Sequence, residues 1–338
     1  MNTTNGTSIV LTGIKPTGRP HLGNYLGTIR PALELARNHR AFYFIADYHA
    51  LTTVRDPERL NHLIDEVAAT WMALGLDPRE VVFYRQSAVP EIFELTWILA
   101  CNAAKGLLNR AHAYKAAVDM NQLAGNDPDA EINAGLYNYP VLMAADILAF
   151  DTDQVPVGRD QVQHVEIARD MAGTFNHTFG PVLKIPQALI REDVETVTGL
   201  DGRKMSKSYG NQIPILVPPE ELRRLVMRIK TDSRRPEEPK DPDTCNVFAI
   251  YRHIAPRADV ERVRKLYLEG GLAYKEIKEE LGTLLAEYFA PARRRFDDLM
   301  ADRGRIARIL AEGAVQARET ARRTLLRVRQ AVGIDPRK

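Results

Sequence analysis

Cysteine is nearly absent: Cys101 and Cys245 are the whole supply in 338 residues. Two thiols cannot build a disulfide framework or a cysteine zinc site, and so low a count fits a reducing, cytoplasmic setting. Long apolar runs are missing too. No stretch approaches the ~18 apolar residues that a membrane-spanning helix needs, so no membrane partner is expected. The opening MNTTNGTS lacks a basic segment followed by an apolar one, and no secretory signal is expected there. No cluster of His, Asp and Glu looks like a dedicated metal cage, and no internal repeat or low-complexity tract is visible. Charge of one sign is scarce as well, the net being only +2. It is unevenly placed. Residues 291–338 hold 13 Lys/Arg against 6 Asp/Glu, an excess of 7 that leaves the first 290 residues at −5. A basic C-terminal region can meet a phosphate backbone, and it can equally be a solvated helix face.

What is present is the balance of a globular chain able to bury a sizeable core, with 45% hydrophobic and 27% charged residues. Its length suggests about two domains. SIVLTG (8–13), AFYFIAD (41–47) and VVFYRQ (81–86) read as buried strands. Between and after them, residues 22–37, 58–74 and 91–104 repeat apolar residues at helical spacing. This βαβαβ pattern predicts an α/β fold with a parallel sheet, right-handed crossovers and ligands at the carboxyl ends of the strands. Residues 119–131 form a polar Gly/Asn/Asp/Pro break, read as a surface loop. A buried helix is expected over 139–150, a strand over 153–158 and a helix over 160–175. The stretch TGLDGRKMSKSYGN (198–211) is polar, glycine-bearing and basic, and reads as an exposed loop rather than a packed element. From 212 onward the chain is helix-rich. Asp/Pro clusters at 236–243 break it, and amphipathic stretches near 258–286 and 305–332 dominate it.

Three segments carry possible chemistry. The first strand runs into GIKPTGRPHLGNYLG (13–27), whose glycines remove side chains where a planar or anionic ligand could lie on the backbone. His21 and Asn24, three apart near a helix start, share a face and can both donate to phosphate oxygens. Alone, the segment is equally a Gly/Pro-rich turn with a capping histidine. KMSKS (204–208) sets two lysines and two serines in a glycine-flanked loop. Mobile lysine charges suit a migrating pyrophosphate, and such a loop can close on ATP. Alone, it is equally a solvated basic loop. In YPVLMAADIL (139–148), Asp146 interrupts an apolar helix with Met143 one turn earlier on the same face. A buried carboxylate needs donors, and a ligand N–H, which can only donate, is a natural partner. Met143, Val155 and Val157 can line a flat apolar slot, methionine being suited to an aromatic face. The alternative for Asp146 is a helix-surface carboxylate. Asp160, in GRDQ (158–161), can accept from ribose hydroxyls or cap the next helix.

An H-x-G-[HN] segment after the first strand, with KMSKS about 180 residues later, resembles the class I aminoacyl-tRNA synthetases, in which both signatures bind ATP for amino-acid activation. Within that class the opening PTG…HLGNYLG, IADYHALT (45–52), YPVLMAADIL and VPVGRDQVQH (155–164) are similar to the tryptophanyl branch. The likeness runs from about residue 8 to 211 and more weakly to the end. It implies a Rossmann-like catalytic domain over 1–211, including a dimerisation segment at about 90–145, and an α-helical anticodon-binding domain over 212–338. It implies a homodimer that takes ATP with Mg²⁺, L-tryptophan and the matching tRNA, with no protein metal site. His21, Asn24, Lys204 and Lys207 would act on the phosphates. Lys15, Thr17, Gly18, Gly23, Lys115, Gly158, Asp160, Met205, Ser206 and Ser208 would complete the ATP site. Leu11, His49, Tyr139, Met143, Asp146, Val155, Val157 and Gln161 would form the tryptophan pocket, Tyr139 and Gln161 holding the α-amino group.

Three positions depart from the common bacterial form of that branch. Leu11 stands where an aromatic wall is usual and Lys15 where glutamine is usual. Ala117 replaces a second lysine after HAYK (112–115), leaving Lys115. Rival readings share part of the pattern. A tyrosyl-tRNA synthetase would keep fold and signatures but want a polar phenol-binding pair. A small-molecule nucleotidyl transferase of the same superfamily has no need of a basic helical tail. A non-catalytic tRNA-binding or regulatory paralogue has no need of intact His21, Lys204 and Lys207.

Overall fold

β-Branched and aromatic residues concentrate in short runs, and those runs pair. The structure, a computed structural model, describes residues 8–16, 18, 20–158, 161–190 and 197–335. The strands are β1 (Ile9–Ile14), β2 (Arg40–Ile45), β3 (Val81–Arg85), β4 (Gln154–Val157) and β5 (Gln187–Ile190). They form one parallel sheet in the order β3-β2-β1-β4-β5. The order reverses between β1 and β4, which opens a crevice at the carboxyl ends of those two strands. Gly13 is required by the pairing itself: a Cβ there would stand 2.8 Å from the Phe44 carbonyl oxygen of β2.

The first crossover starts with α1 (Leu22–Asn24), passes through a π-helical turn (Tyr25–Ile29) and continues as α2 (Arg30–Ala36). The short α3 (Asp47–Ala50) follows β2. The next crossover helix, α4 (Pro57–Ala73), is capped by Asp56, whose carboxylate accepts from the Glu58 and Arg59 amides at 3.0 and 3.1 Å. After β3 come α5 (Pro90–Asn102), α6 (Lys105–Asn109), α7 (His112–Leu123) and α8 (Ala134–Leu148). α9 (Val162–Phe179) connects β4 to β5. The remainder is helical: α10 (Pro219–Met227), α11 (Asn246–Ile254), α12 (Arg257–Glu269), α13 (Tyr274–Ala301) and α14 (Arg303–Val332).

Strand alternation divides the core in two. Val10, Tyr43, Ile45, Val81 and Phe83 face a layer of α2, α4 and the helices α10–α13. Leu11, Phe42, Phe44, Val82 and Tyr84 face α5, α8 and α9. The helices beyond residue 212 thus share a core with the sheet.

Three expectations need adjustment. The polar break expected over 119–131 begins later, because α7 continues through Met120, Gln122 and Leu123 and stops at Gly125 in the left-handed region (φ 73°). The amphipathic stretch 258–286 is two helices, split at Gly270 and Gly271, both with positive φ. The loop 198–211 is not wholly exposed. Met205 and Asn211 are buried, and the Asn211 amide donates to Asp201 at 2.6 Å and to the Lys204 carbonyl at 3.1 Å.

α14 closes the structure. β3 is an outer strand, and α14 crosses its edge from one face of the sheet to the other. Ile306 and Leu310 enter the first core, whereas Ala314, Ala317, Ala321, Leu325 and Val328 enter the second. Gly313 is the crossing point, where a Cβ would lie 1.8 Å from the Phe83 carbonyl oxygen. Charge then holds the helix down. Arg303 pairs with Asp65, Arg318 and Arg322 with Glu91, Arg327 with Asp151 and Arg329 with Glu94. Much of the basic excess at the C-terminus is therefore matched by carboxylates of the same chain. Gly313→Ala should lower stability by about 1–3 kcal/mol, because its methyl meets backbone that cannot swing away. Urea unfolding reads this, and an unchanged midpoint would mean that α14 is not seated on β3.

Candidate active site

The two polar signatures meet at the crevice beside β1. His21 is buried and caps α1. Its Nδ1 accepts from the Asn24 amide at 3.3 Å, and its own amide donates to Asn24 Oδ1 at 3.1 Å. Burial, and secondarily the Lys207 charge, push the imidazole down to about 4. The ring is neutral near pH 7, and with Nδ1 accepting, the proton sits on Nε2 as a donor. The Gly23 amide donates to the sulfur of Met205 at 3.3 Å, so the second signature is latched onto the first. A Cβ on Gly23 would come within 3.0 Å of the His21 ring and 3.4 Å of Met205 Cβ. Lys207 Nζ donates to the Gly18 carbonyl at 2.7 Å, and burial lowers its pKa. The Leu22 amide donates to the Ile213 carbonyl at 2.9 Å, fixing the loop's far end to the same helix start. Within the loop, Ser206 donates its amide to Asn211 Oδ1 and accepts from the Ser208 amide. Lys204 and Ser208 are exposed.

A second cluster lies at the carboxyl ends of β2 and β3. Asp146, on α8, is only 1% exposed, which removes the helix-surface alternative. His49 Nε2 approaches its Oδ2 at 2.9 Å, and Gln86 Nε2 donates to both carboxylate oxygens at 2.8 Å. Burial raises the Asp146 pKa, while the His49 and Gln86 hydrogen bonds oppose that rise. Gln86 carries no motif, and Asp47, although it lies within IADYHALT, has no role assigned to it from sequence. Their one signal is position, polar residues just past apolar strands where such sheets bind ligands. Asp47 is buried, paired with Arg85, and accepts from the Ser87 and Tyr48 amides at 2.9 and 3.1 Å. Tyr139 stands edge-on to His49, ring centres 6.1 Å apart, and its hydroxyl reaches His164 at 3.4 Å.

Lys15 joins the two clusters. Its Nζ donates to Thr52 Oγ1 at 2.8 Å, and that hydroxyl donates to the His49 carbonyl at 2.8 Å. Burial lowers the Lys15 pKa. Leu11 and Val155 are buried and Met143 and Val157 half-buried, all in the core on the Asp146 side of the sheet. Gly158 leaves β4 and its carbonyl accepts from the Gln161 amide at 2.9 Å. Gln161 and Lys115 are exposed, the first just before α9 and the second on α7. The starts of these two helices meet, because Gln163 accepts from the His112 amide and donates to the Arg110 carbonyl. Thr17 and Asp160 lie outside the described residues.

A neutral imidazole donor, an asparagine and a mobile lysine on one side, and a buried acceptor on the other, suit an anionic nucleotide beside a small organic donor. Known proteins agree with that chemistry. A family model described as tRNA synthetases class I (W and Y) matches residues 3–290. The chain is similar to a tryptophan–tRNA ligase of Pseudomonas aeruginosa, 54% identical over 97% of this chain and 74% of that one. It is similar to one of Neisseria meningitidis, 50% identical over 97% and 98%. A crystal structure of tryptophanyl-tRNA synthetase from Campylobacter jejuni, complexed with ADP and tryptophan, is 40% identical and aligns with a TM-score of 0.87, covering 96% of this chain and 99% of that one. With its reversal of strand order beside HLGN and its latched KMSKS loop, the chain belongs to the class I aminoacyl-tRNA synthetases of the tryptophan and tyrosine family.

Proposed function

We propose that the chain is a tryptophan–tRNA ligase, which activates L-tryptophan with ATP and passes it to the terminal ribose of its tRNA. The observation that carries the amino-acid choice is Asp146, a buried carboxylate whose neighbours are donors, matched to a ligand N–H. Likeness at 50% identity or more to tryptophan–tRNA ligases supports it. A ligand without an N–H or O–H there would leave the carboxylate short of a partner, a loss that can reach a factor of ~10⁴.

ATP enters with its Mg²⁺, and the tryptophan carboxylate attacks the α-phosphate in line, releasing pyrophosphate. The ribose hydroxyl of the tRNA then takes the acyl group. Neither step needs a protein nucleophile, so the chain contributes position and charge. His21 Nε2–H and the Asn24 amide donate to phosphate oxygens. Lys207 leaves the Gly18 carbonyl and, with Lys204, follows the charge that builds on pyrophosphate. Because His21 is neutral, it adds a directed hydrogen bond without a fixed charge. Lys15, Thr17, Gly18, Gly23, Lys115, Gly158, Asp160, Met205, Ser206 and Ser208 surround the nucleotide. Leu11, His49, Tyr139, Met143, Val155, Val157 and Gln161 surround the amino acid. Residues 212–338 receive the anticodon end of the tRNA. Since five arginines of α14 are matched by carboxylates, tRNA phosphates are met chiefly elsewhere on that helical part.

The working unit is a homodimer in the cytoplasm. α5 exposes Phe93 (55%) and Trp97 (72%) one turn apart, and α7 exposes Met120 (72%) and Leu123 (88%), an apolar surface suited to a second copy. No described helix is long and apolar enough to cross a membrane.

ATP–pyrophosphate exchange tests the reaction. The protein should be active with tryptophan and not with tyrosine, and Asp146→Ala should raise the tryptophan KM by roughly 100-fold or more. Activity with tyrosine alone would sink the assignment, and silence with both amino acids alongside tRNA binding would favour a binding module. Sedimentation tests the assembly. The wild type should run as a dimer and Trp97→Glu as a monomer; a monomeric wild type removes this part of the proposal.

A further inference from the structure

We infer that Gln86 is a positioning residue for amino-acid selection: its carboxamide holds the Asp146 carboxylate in one orientation and as a pure hydrogen-bond acceptor. The inference rests on the tryptophan reading above and adds a residue that no motif names.

The orientation of the Gln86 amide follows from its two neighbours. One end lies 3.1 Å from the Tyr48 backbone N–H, which can only donate, so that end is the oxygen. The other end is then the NH₂ group, 2.8 Å from both oxygens of Asp146. Gln86 is completely buried and cannot exchange these partners for water. An NH₂ group accepts nothing, so a proton on Asp146 would find no acceptor there. His49 Nε2, at 2.9 Å, adds a further donor to Oδ2. Oδ2 thus takes two donors and Oδ1 one, which leaves Oδ1 capacity for one more N–H. An indole N–H needs that acceptor. A protonated Asp146 would instead offer an O–H, which suits a phenol oxygen.

The titratable groups around Asp146 are His49 and Asp47 on α3, Tyr84 on β3, and, one contact further out, Tyr139 on α8 and His164 on α9. Burial lifts the Asp146 pKa and the Asp47 charge adds to it, against the donors His49 and Gln86. Asp146 must be ionised to accept, so kcat/KM for tryptophan falls as pH drops through its titration. Loss of the Gln86 donor raises that titration, and the acid limb moves to higher pH.

Gln86→Met keeps the length without an N–H, and Gln86→Glu sets a second carboxylate beside the first. In pyrophosphate exchange both should raise the tryptophan KM about tenfold or more, as expected for a lost hydrogen bond to a charge. The ATP KM should stay within about twofold, the Trp-over-Tyr ratio should fall and the acid limb should shift upward, furthest in the Glu variant. A tryptophan KM within about twofold of wild type with an unmoved acid limb overturns the inference. So does an equal loss for ATP and tryptophan with a lowered melting temperature, the mark of a structural role. Should the Met variant not fold, Gln86→Asn, one methylene short, carries the same expectation and the same refutation. A wild type silent with tryptophan removes the reading beneath the inference, whereas an active wild type with unaffected variants removes the inference alone.

Discussion

Burying a carboxylate costs several kcal/mol unless donors replace its hydration, and Asp146 lies almost wholly out of water inside an apolar helix. Meeting that demand draws three segments to one point. α8 supplies the carboxylate, α3 the imidazole, the turn after β3 the carboxamide, and Tyr48 the amide that orients it. Asp47 then ties the ends of β2 and β3 together through Arg85 and the Ser87 amide. The buried carboxylates Asp146 and Asp47 together therefore fix how three elements finish. The acceptor is pre-set before any ligand arrives, which limits reorganisation on binding.

The nucleotide side is organised differently, through single hydrogen bonds that can be broken. A backbone amide on a thioether and a lysine on a carbonyl join KMSKS to HLGN. Contacts of this kind are modest. They let the loop dock without committing its lysine to an ion pair that phosphate would have to displace. The π-helical turn Tyr25–Ile29 follows at once, and Tyr25 is hydrogen-bonded to Tyr288 of α13 at 2.6 Å. Lys15, the unusual residue of the cradle, is half-buried and turned onto Thr52. Its bond to Thr52 places a cation between the nucleotide side and the Asp146 cluster.

Much of this was legible in the sequence. Four strands and the helices around them stand out because short apolar runs give way to apolar residues at helical spacing between them. β5 does not: QALI lies at the edge of the sheet and is half exposed. HLGN, KMSKS and Asp146 are recognisable because each sets polar residues where apolar ones or a plain turn would otherwise stand. Gln86 is invisible to such reasoning, and Asp47 and Thr52 sit in IADYHALT without a readable role, since their roles arise only when parallel pairing brings separate strand ends side by side. The basic tail left two readings open. Its arginines on α14 look like a phosphate surface until the fold sets Glu91, Glu94, Asp65 and Asp151 against them.

The crossing of α14 over β3 also sets a timetable. β3 ends at Arg85 and α14 begins at Arg303, so 217 residues separate the strand from the helix that covers it. At translation rates of roughly 5–20 residues per second, the nascent sheet spends about 10–40 s with that edge open. An open edge offers unpaired amides and carbonyls to any other extended chain. The strand is only five residues long and ends in a charged Arg85, which keeps the exposed template short while the ribosome finishes. For this chain the last helix is a late structural part of the sheet's own packing, and a message cut short before it would release a sheet with one side unsealed.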